Sequence, residues 1–242
     1  RSESCYRLHW DELALHKDKA LPIIRIGLPA GLQSSIFAIS NVVIQSSINS
    51  FGSIAMAGSA AAANIEGFVY VSMNSVAQAS LSFASQNIGA RRYERISKIS
   101  RTCLLLAALF GLVLGNGVYL LHDTFLRFYS PDPAVIEAGA LRLSVICTTY
   151  FLCGLMDTLA CILRAMGKSL LPMVVTIIGA CGLRVLWIYT VFPLDRTFFT
   201  LFLSYPITWG VTAAVHAVCY FFTKRTMLRR AQASAPSEAS ST

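Results

Sequence analysis

"SFASQNIGARRYERISK", residues 82–98, leaves an apolar stretch, passes one glycine and runs into Arg91, Arg92, Arg95 and Lys98. A soluble helix has little need of so abrupt a boundary. A chain emerging from lipid does, because hydrocarbon excludes charge while long basic side chains reach the headgroup phosphates.

Composition points the same way. Of the 242 residues, 55% are hydrophobic and only 13% are charged, and the mean hydropathy is +0.59. Ordinary soluble domains carry about 25% charge. Apolar runs lie near 22–51, 54–88, 102–121, 134–163, 170–192 and 197–222. Each can cross a bilayer, which takes roughly 20 residues. In hydrocarbon the backbone must satisfy its own hydrogen bonds, so runs of this length are helices. The expected fold class is therefore an all-α integral membrane protein with six transmembrane helices.

The net charge of +8 is distributed unevenly. With six spans and both ends on one side, the basic residues of 1–25, 91–101, 164–168 and 224–230 share a face. Only Arg127 and Arg196 fall on the other, and Arg142 and Arg184 lie within spans. This positive-inside bias puts both termini in the cytoplasm. The charge then faces anionic lipid headgroups, and no nucleic-acid role is expected. Cys103, Cys147, Cys153, Cys161, Cys181 and Cys219 sit in or beside spans without a CxxC pair. They read as small apolar fillers, with no metal framework expected. The first residue is Arg and no signal peptide is visible, so the expectation is a piece of a longer chain.

Residues 1–20 place Tyr6, Trp10, Leu13 and Ala14 at helical spacing, as in an amphipathic helix lying on the cytoplasmic interface. Only "FGS" (51–53) separates the first two runs, which makes them a tight hairpin. At the end of the second run Gly89 is the expected left-handed C-cap. A short interfacial helix should follow, with Glu94 and Lys98 paired at i,i+4. After Arg230 the chain becomes rich in Ala and Ser, and residues 225–242 are expected to be a disordered cytoplasmic tail.

The informative residues are the polar ones inside spans. In the first, Gln33, Ser34, Ser40, Asn41, Gln45 and Ser47 cover about half of a helical wheel. In the second, Glu66, Tyr70, Asn74, Gln78 and Ser85 occupy an arc of about 120°. Taken singly, each reads best as glue between helices. Two consecutive stripes suggest a shared aqueous cavity, with Gln33, Asn41, Gln45, Tyr70, Asn74 and Gln78 as its substrate-facing groups. Glu66 and Asp157 are carboxylates at a depth where an unpartnered charge is expensive, which makes both candidates for binding a coupling cation or proton. For Asp157 the competing reading is a pair with Arg164. For Glu66 it is solvation by the outer vestibule. Arg142 and Arg184 read as structural partners, and His216 as a packed core histidine. No GxSxG, HExxH or P-loop pattern is present, so no enzyme is expected.

Four stretches together resemble a known family. "GLPAGLQSSIFAISNVVIQSSINSFG", "NIEGFVYVSMNSVAQASLSFASQNIGARRYERI", "LRAMGKSLLPM" and "GACGLRVLWIYTVFP" are similar, in this order, to the second half of a multidrug and toxic compound extrusion (MATE) antiporter. The similarity covers about residues 20–225. It implies a lobe of six helices from a two-lobed, twelve-helix transporter: 1–20 the end of a cytoplasmic linker, 21–224 the lobe, 225–242 the tail. It further implies efflux of small cationic amphipathic drugs in exchange for Na⁺ or H⁺, with no cofactor. The partners would be the lipid bilayer of the bacterial inner membrane and the missing N-terminal lobe. Some relatives carry a carboxylate in this lobe's first helix where this sequence has Phe37. They also carry an aspartate where it has Cys153, one turn before Asp157. The coupling ion thus stays open, and it is bound either here or in the other lobe. Two alternatives remain: a lipid-linked precursor flippase of a related branch, and a non-transporting module that dimerises through "GLVLG" (111–115).

Overall fold

A computed structural model describes residues 17–233. Among the described residues, six helices are long and apolar enough to cross a membrane. Helix α1 (Lys17–Asn49) and α2 (Ser53–Gly89) form the expected hairpin. Their turn is made at Gly52, whose φ of +93° is open to glycine without strain. After a single 3₁₀ turn, Tyr93–Arg95, helix α3 (Ile96–Leu120) crosses back. A short α4 (His122–Arg127) lies at the far end, and α5 (Pro133–Ala165) returns. The fifth span is composite: α6 (Leu170–Thr176), a π-helical segment Ile177–Gly182, and α7 (Leu183–Thr190). Helix α8 (Phe198–Ala233) completes the lobe, with Pro206 inside it.

Helix α5 is the central post. Asp132 caps its start by accepting the Ala134 N–H at 2.9 Å, with Pro133 in the first turn. It is the most buried of the six spans, and α1 is the least. Lipid offers no hydrophobic reason for helices to associate, so close packing must hold them. Small residues supply it. Gly111 and Gly115 of α3 lie directly on the α5 backbone, where an added Cβ would strike Phe151 and the Cys147 carbonyl. The two glycines of the GLVLG motif are thus spent inside the lobe, and only Leu112 and Val113 of it remain exposed. On the other side, Gly58 of α2 lets that helix approach Val135 and Gly139 of α5. The apolar core fills the space between α2, α5 and α8, with Met73, Leu143, Ile146 and Phe202 fully buried.

Several local expectations are corrected. Gly89 is not the left-handed cap; Arg91 is, with φ +57°. The helix runs on through Gly89, and the N–H groups of Arg91 and Arg92 then return to the carbonyls of Ile88 and Asn87 at 3.0 and 2.8 Å. That is a Schellman ending, two residues later than the glycine suggested. The separate interfacial helix is absent as well. Ile96, Ser100, Cys103, Ala107 and Gly111 are buried at helical spacing, so Lys98 and Arg101 belong to the first turns of α3. Arg91 and Arg92 end α2, and Arg95 closes the 3₁₀ turn between the two helices. Glu94 and Lys98 make no ion pair. The last helix passes the expected limit at 224 and continues to Ala233, through a segment rich in strong helix formers. The amphipathic helix expected over 1–20 lies largely outside the described residues, as does 234–242.

Candidate functional site

A cavity of about 440 Å³ opens between α1, α2, α5 and α8. Helix α1 contributes Phe37, Asn41 and Gln45, α2 contributes Glu66 and Tyr70, α5 contributes Arg142, Tyr150 and Cys153, and α8 contributes Tyr205 and Trp209. Both polar stripes therefore reach one space, because the hairpin turns each amphipathic face toward α5 and α8. Four of the eight site residues named from sequence, Asn41, Gln45, Glu66 and Tyr70, line it.

The other four lie elsewhere. Gln33 accepts a hydrogen bond of 2.7 Å from Arg164 Nη2, which ties α1 to the end of α5. Asn74 and Gln78 bond to each other along α2 at 3.4 Å. Both are beyond the cavity lining, and their bond runs within one helix, so it joins no neighbouring helix as the glue reading expected. Asp157 is half-buried on α5, one turn past Cys153, and within electrostatic reach of Tyr70. No hydrogen bond or ion pair holds its carboxylate among the described residues. The competing Asp157–Arg164 pair does not form, because Arg164 is turned toward Gln33.

Glu66 has a partner that spacing within one helix could not reveal. Arg142, 76 positions away, donates from Nε to Oε1 at 2.6 Å and from Nη2 to Oε2 at 2.9 Å. Its Nη1 donates to Ser59 Oγ at 2.6 Å, and its guanidinium carbon lies 5.3 Å from the Phe202 ring. Glu66 is only 5% exposed and Arg142 only 8%. A bidentate, fully bonded pair of this kind is what lets two charges persist at membrane depth. The outer-vestibule reading of Glu66 does not describe this environment.

Aromatic rings form the opposite wall. Tyr150 stacks on Trp209 with centroids 5.3 Å apart, and Tyr205 meets Trp209 edge-on at 5.4 Å. Such a wall suits flat, apolar guests. His216 is fully buried, with Nε2 3.4 Å from the Pro172 carbonyl, consistent with packing. Among the described residues no three His, Cys, Asp or Glu side chains converge as a metal site.

Six spans packed as one lobe, with a polar and aromatic cavity on one flank, define an all-α membrane-protein unit. The MatE family model matches residues 29–190. The chain belongs to that family, the multidrug and toxic compound extrusion transporters. Among curated relatives, the probable multidrug resistance protein YoeA of Bacillus subtilis is 25% identical over 173 residues, covering 72% of this chain and 37% of its own length. The multidrug resistance protein PmpM of Pseudomonas aeruginosa is 28% identical over 165 residues, covering 67% and 34%. Among solved structures, the Vibrio cholerae MATE transporter VcmN in its bent form superposes with a TM-score of 0.78 at 16% identity, covering 88% of this chain and 48% of that one. A MOP superfamily transporter from Pyrococcus furiosus gives 0.77 at 17% identity, covering 84% and 45%. The matched region is thus a third to a half of each relative's length.

Proposed function

We propose that this chain is the C-terminal half of a multidrug efflux antiporter. It would export cationic amphipathic compounds from the cytoplasm in exchange for Na⁺ or H⁺. Both termini would lie in the cytoplasm, with the lobe in the bacterial inner membrane and the N-terminal lobe closing the far side of the cavity. The basic ends of α2, α3 and α5 support that orientation, and two-lobed transporters commonly rock around a central site of this kind.

One observation carries the coupling role. Asp157 is a carboxylate inside a span with no hydrogen bond or ion pair among the described residues, within electrostatic reach of Arg164 and of the cavity-lining Tyr70. Glu66 is a weaker candidate, since both of its oxygens are engaged by Arg142. Asn41, Gln45 and Tyr70 offer hydrogen bonds to the guest, and Tyr150, Tyr205 and Trp209 offer ring faces. In the complete transporter, Asp157→Asn should abolish dye efflux driven by an imposed Na⁺ or H⁺ gradient. Membrane expression should stay at the wild-type level, because Arg164 draws on Gln33 and is not stranded. Wild-type efflux from the Asn variant would remove Asp157 from the mechanism and move the coupling acid to Glu66 or to the other lobe.

A further inference from the structure

Arg184, at the start of α7, has no exposed surface. Its Nε, Nη1 and Nη2 make no hydrogen bond to any described residue. No carboxylate lies within ion-pair distance of it among the described residues. Both Glu66 oxygens belong to Arg142, and Asp157 forms no ion pair. Rings surround the guanidinium instead: Tyr205 at 4.0 Å, Phe37 at 5.6 Å and Trp209 at 6.0 Å from its central carbon. A ring face offsets part of the positive charge but accepts no N–H.

Trp209 repeats the pattern. It lines the cavity, is 3% exposed, and its indole Nε1 is buried with no acceptor. Trp187 makes the contrast, since its Nε1 donates to the Thr200 carbonyl at 3.0 Å. Two adjacent side chains that can only donate thus share one place beside the cavity and find nothing to donate to. Buried donors are seldom left so, and a buried cation least of all. Glu66 and Arg142 pair with each other, so the Arg184 guanidinium, behind the aromatic wall, has no ion-pair partner among the described residues.

We propose that Arg184 and Trp209 together bind a small monovalent anion, a halide or a carboxylate, reached from the cavity. The anion neutralises the wall and satisfies both orphaned donors. Its source is either dissolved halide or the carboxylate of an organic guest. The site stands on the packing of this lobe and does not depend on the direction or coupling of transport.

The test uses the complete transporter in nanodiscs with every tryptophan but Trp209 replaced by Phe, Trp10→Phe and Trp187→Phe among them, so that Trp209 is the sole indole reporter. Iodide, a quencher, should reduce its fluorescence along a saturating curve. Arg184→Gln should raise the half-quenching concentration by roughly tenfold or more, since a hydrogen bond to a charged group is lost. Arg184→Lys, which keeps the charge, should still saturate, at severalfold higher iodide. Relief of quenching by chloride assigns the site to halide, and relief by benzoate assigns it to a carboxylate. Linear quenching in the parent chain would overturn the proposal with no variant needed. So would saturation unchanged in a folded Arg184→Gln chain, or saturation that neither competitor relieves.

Discussion

The Arg142 guanidinium holds both oxygens of the Glu66 carboxylate, at 2.6 and 2.9 Å, and so bolts α5 to α2 beside the cavity. Removing one partner strands the other. Arg142→Met should destabilise the lobe by about 3–5 kcal/mol, read as a fall in thermal midpoint and membrane expression. Replacing both, as Glu66→Leu with Arg142→Met, should recover most of that loss, because the buried charges leave together. A double variant no better than the single would show that the pair is not the source of the effect.

The glycines of α3 give a paired comparison. At Gly115 an added methyl would meet the Cys147 carbonyl, while at Gly117 it meets nothing within 4 Å. Gly115→Ala should therefore cost about 1–3 kcal/mol through overpacking of two backbones. Gly117→Ala should be neutral or gain up to about 1 kcal/mol in helix propensity. Equal thermal midpoints for the two variants would refute the close α3–α5 contact.

Two helices end in the same left-handed motif with different residues. After α5, Gly167 has φ +78°; after α2, Arg91 has φ +57°. A side chain is strained there and glycine is not. Arg91→Gly should gain a little under about 1 kcal/mol once glycine's greater freedom in the unfolded chain is subtracted. Gly167→Ala should lose about 1 kcal/mol. Thermal unfolding of both variants should show these opposite signs.

The proposed orientation is checked in intact cells. In a cysteine-free background, membrane-impermeant thiol reagents added outside should label probes at Ser130 and Asp195. Probes at Arg92 and Lys168 should stay unlabelled until the membrane is opened. The reverse pattern would invert the topology and with it the direction assigned to export.

The spans were legible because hydrophobicity is written locally. A run such as 134–163 is apolar wherever it folds, and lipid leaves its backbone no choice but a helix. The two polar stripes were legible for a related reason, since helical periodicity shows which residues share a face. It was enough to bring Asn41, Gln45, Glu66 and Tyr70 to one cavity. Periodicity says nothing of how two helices are rotated against each other or where they cross. That rotation gave Glu66 to Arg142, 76 positions away, and Arg164 to Gln33, 131 positions away. It also left Asp157 unpaired.

Cap position was a subtler failure. A glycine marks where a left-handed residue costs least, and the chain at 89–91 nevertheless placed that residue at Arg91. There the N–H groups of Arg91 and Arg92 could reach the carbonyls of Ile88 and Asn87. The sequence by itself determined a six-span helical lobe, its asymmetry of charge and the family to which it belongs. Only the tertiary structure decided which buried charges are matched and which, like Arg184, are not, because in a low-dielectric interior that depends on contacts between helices distant along the chain.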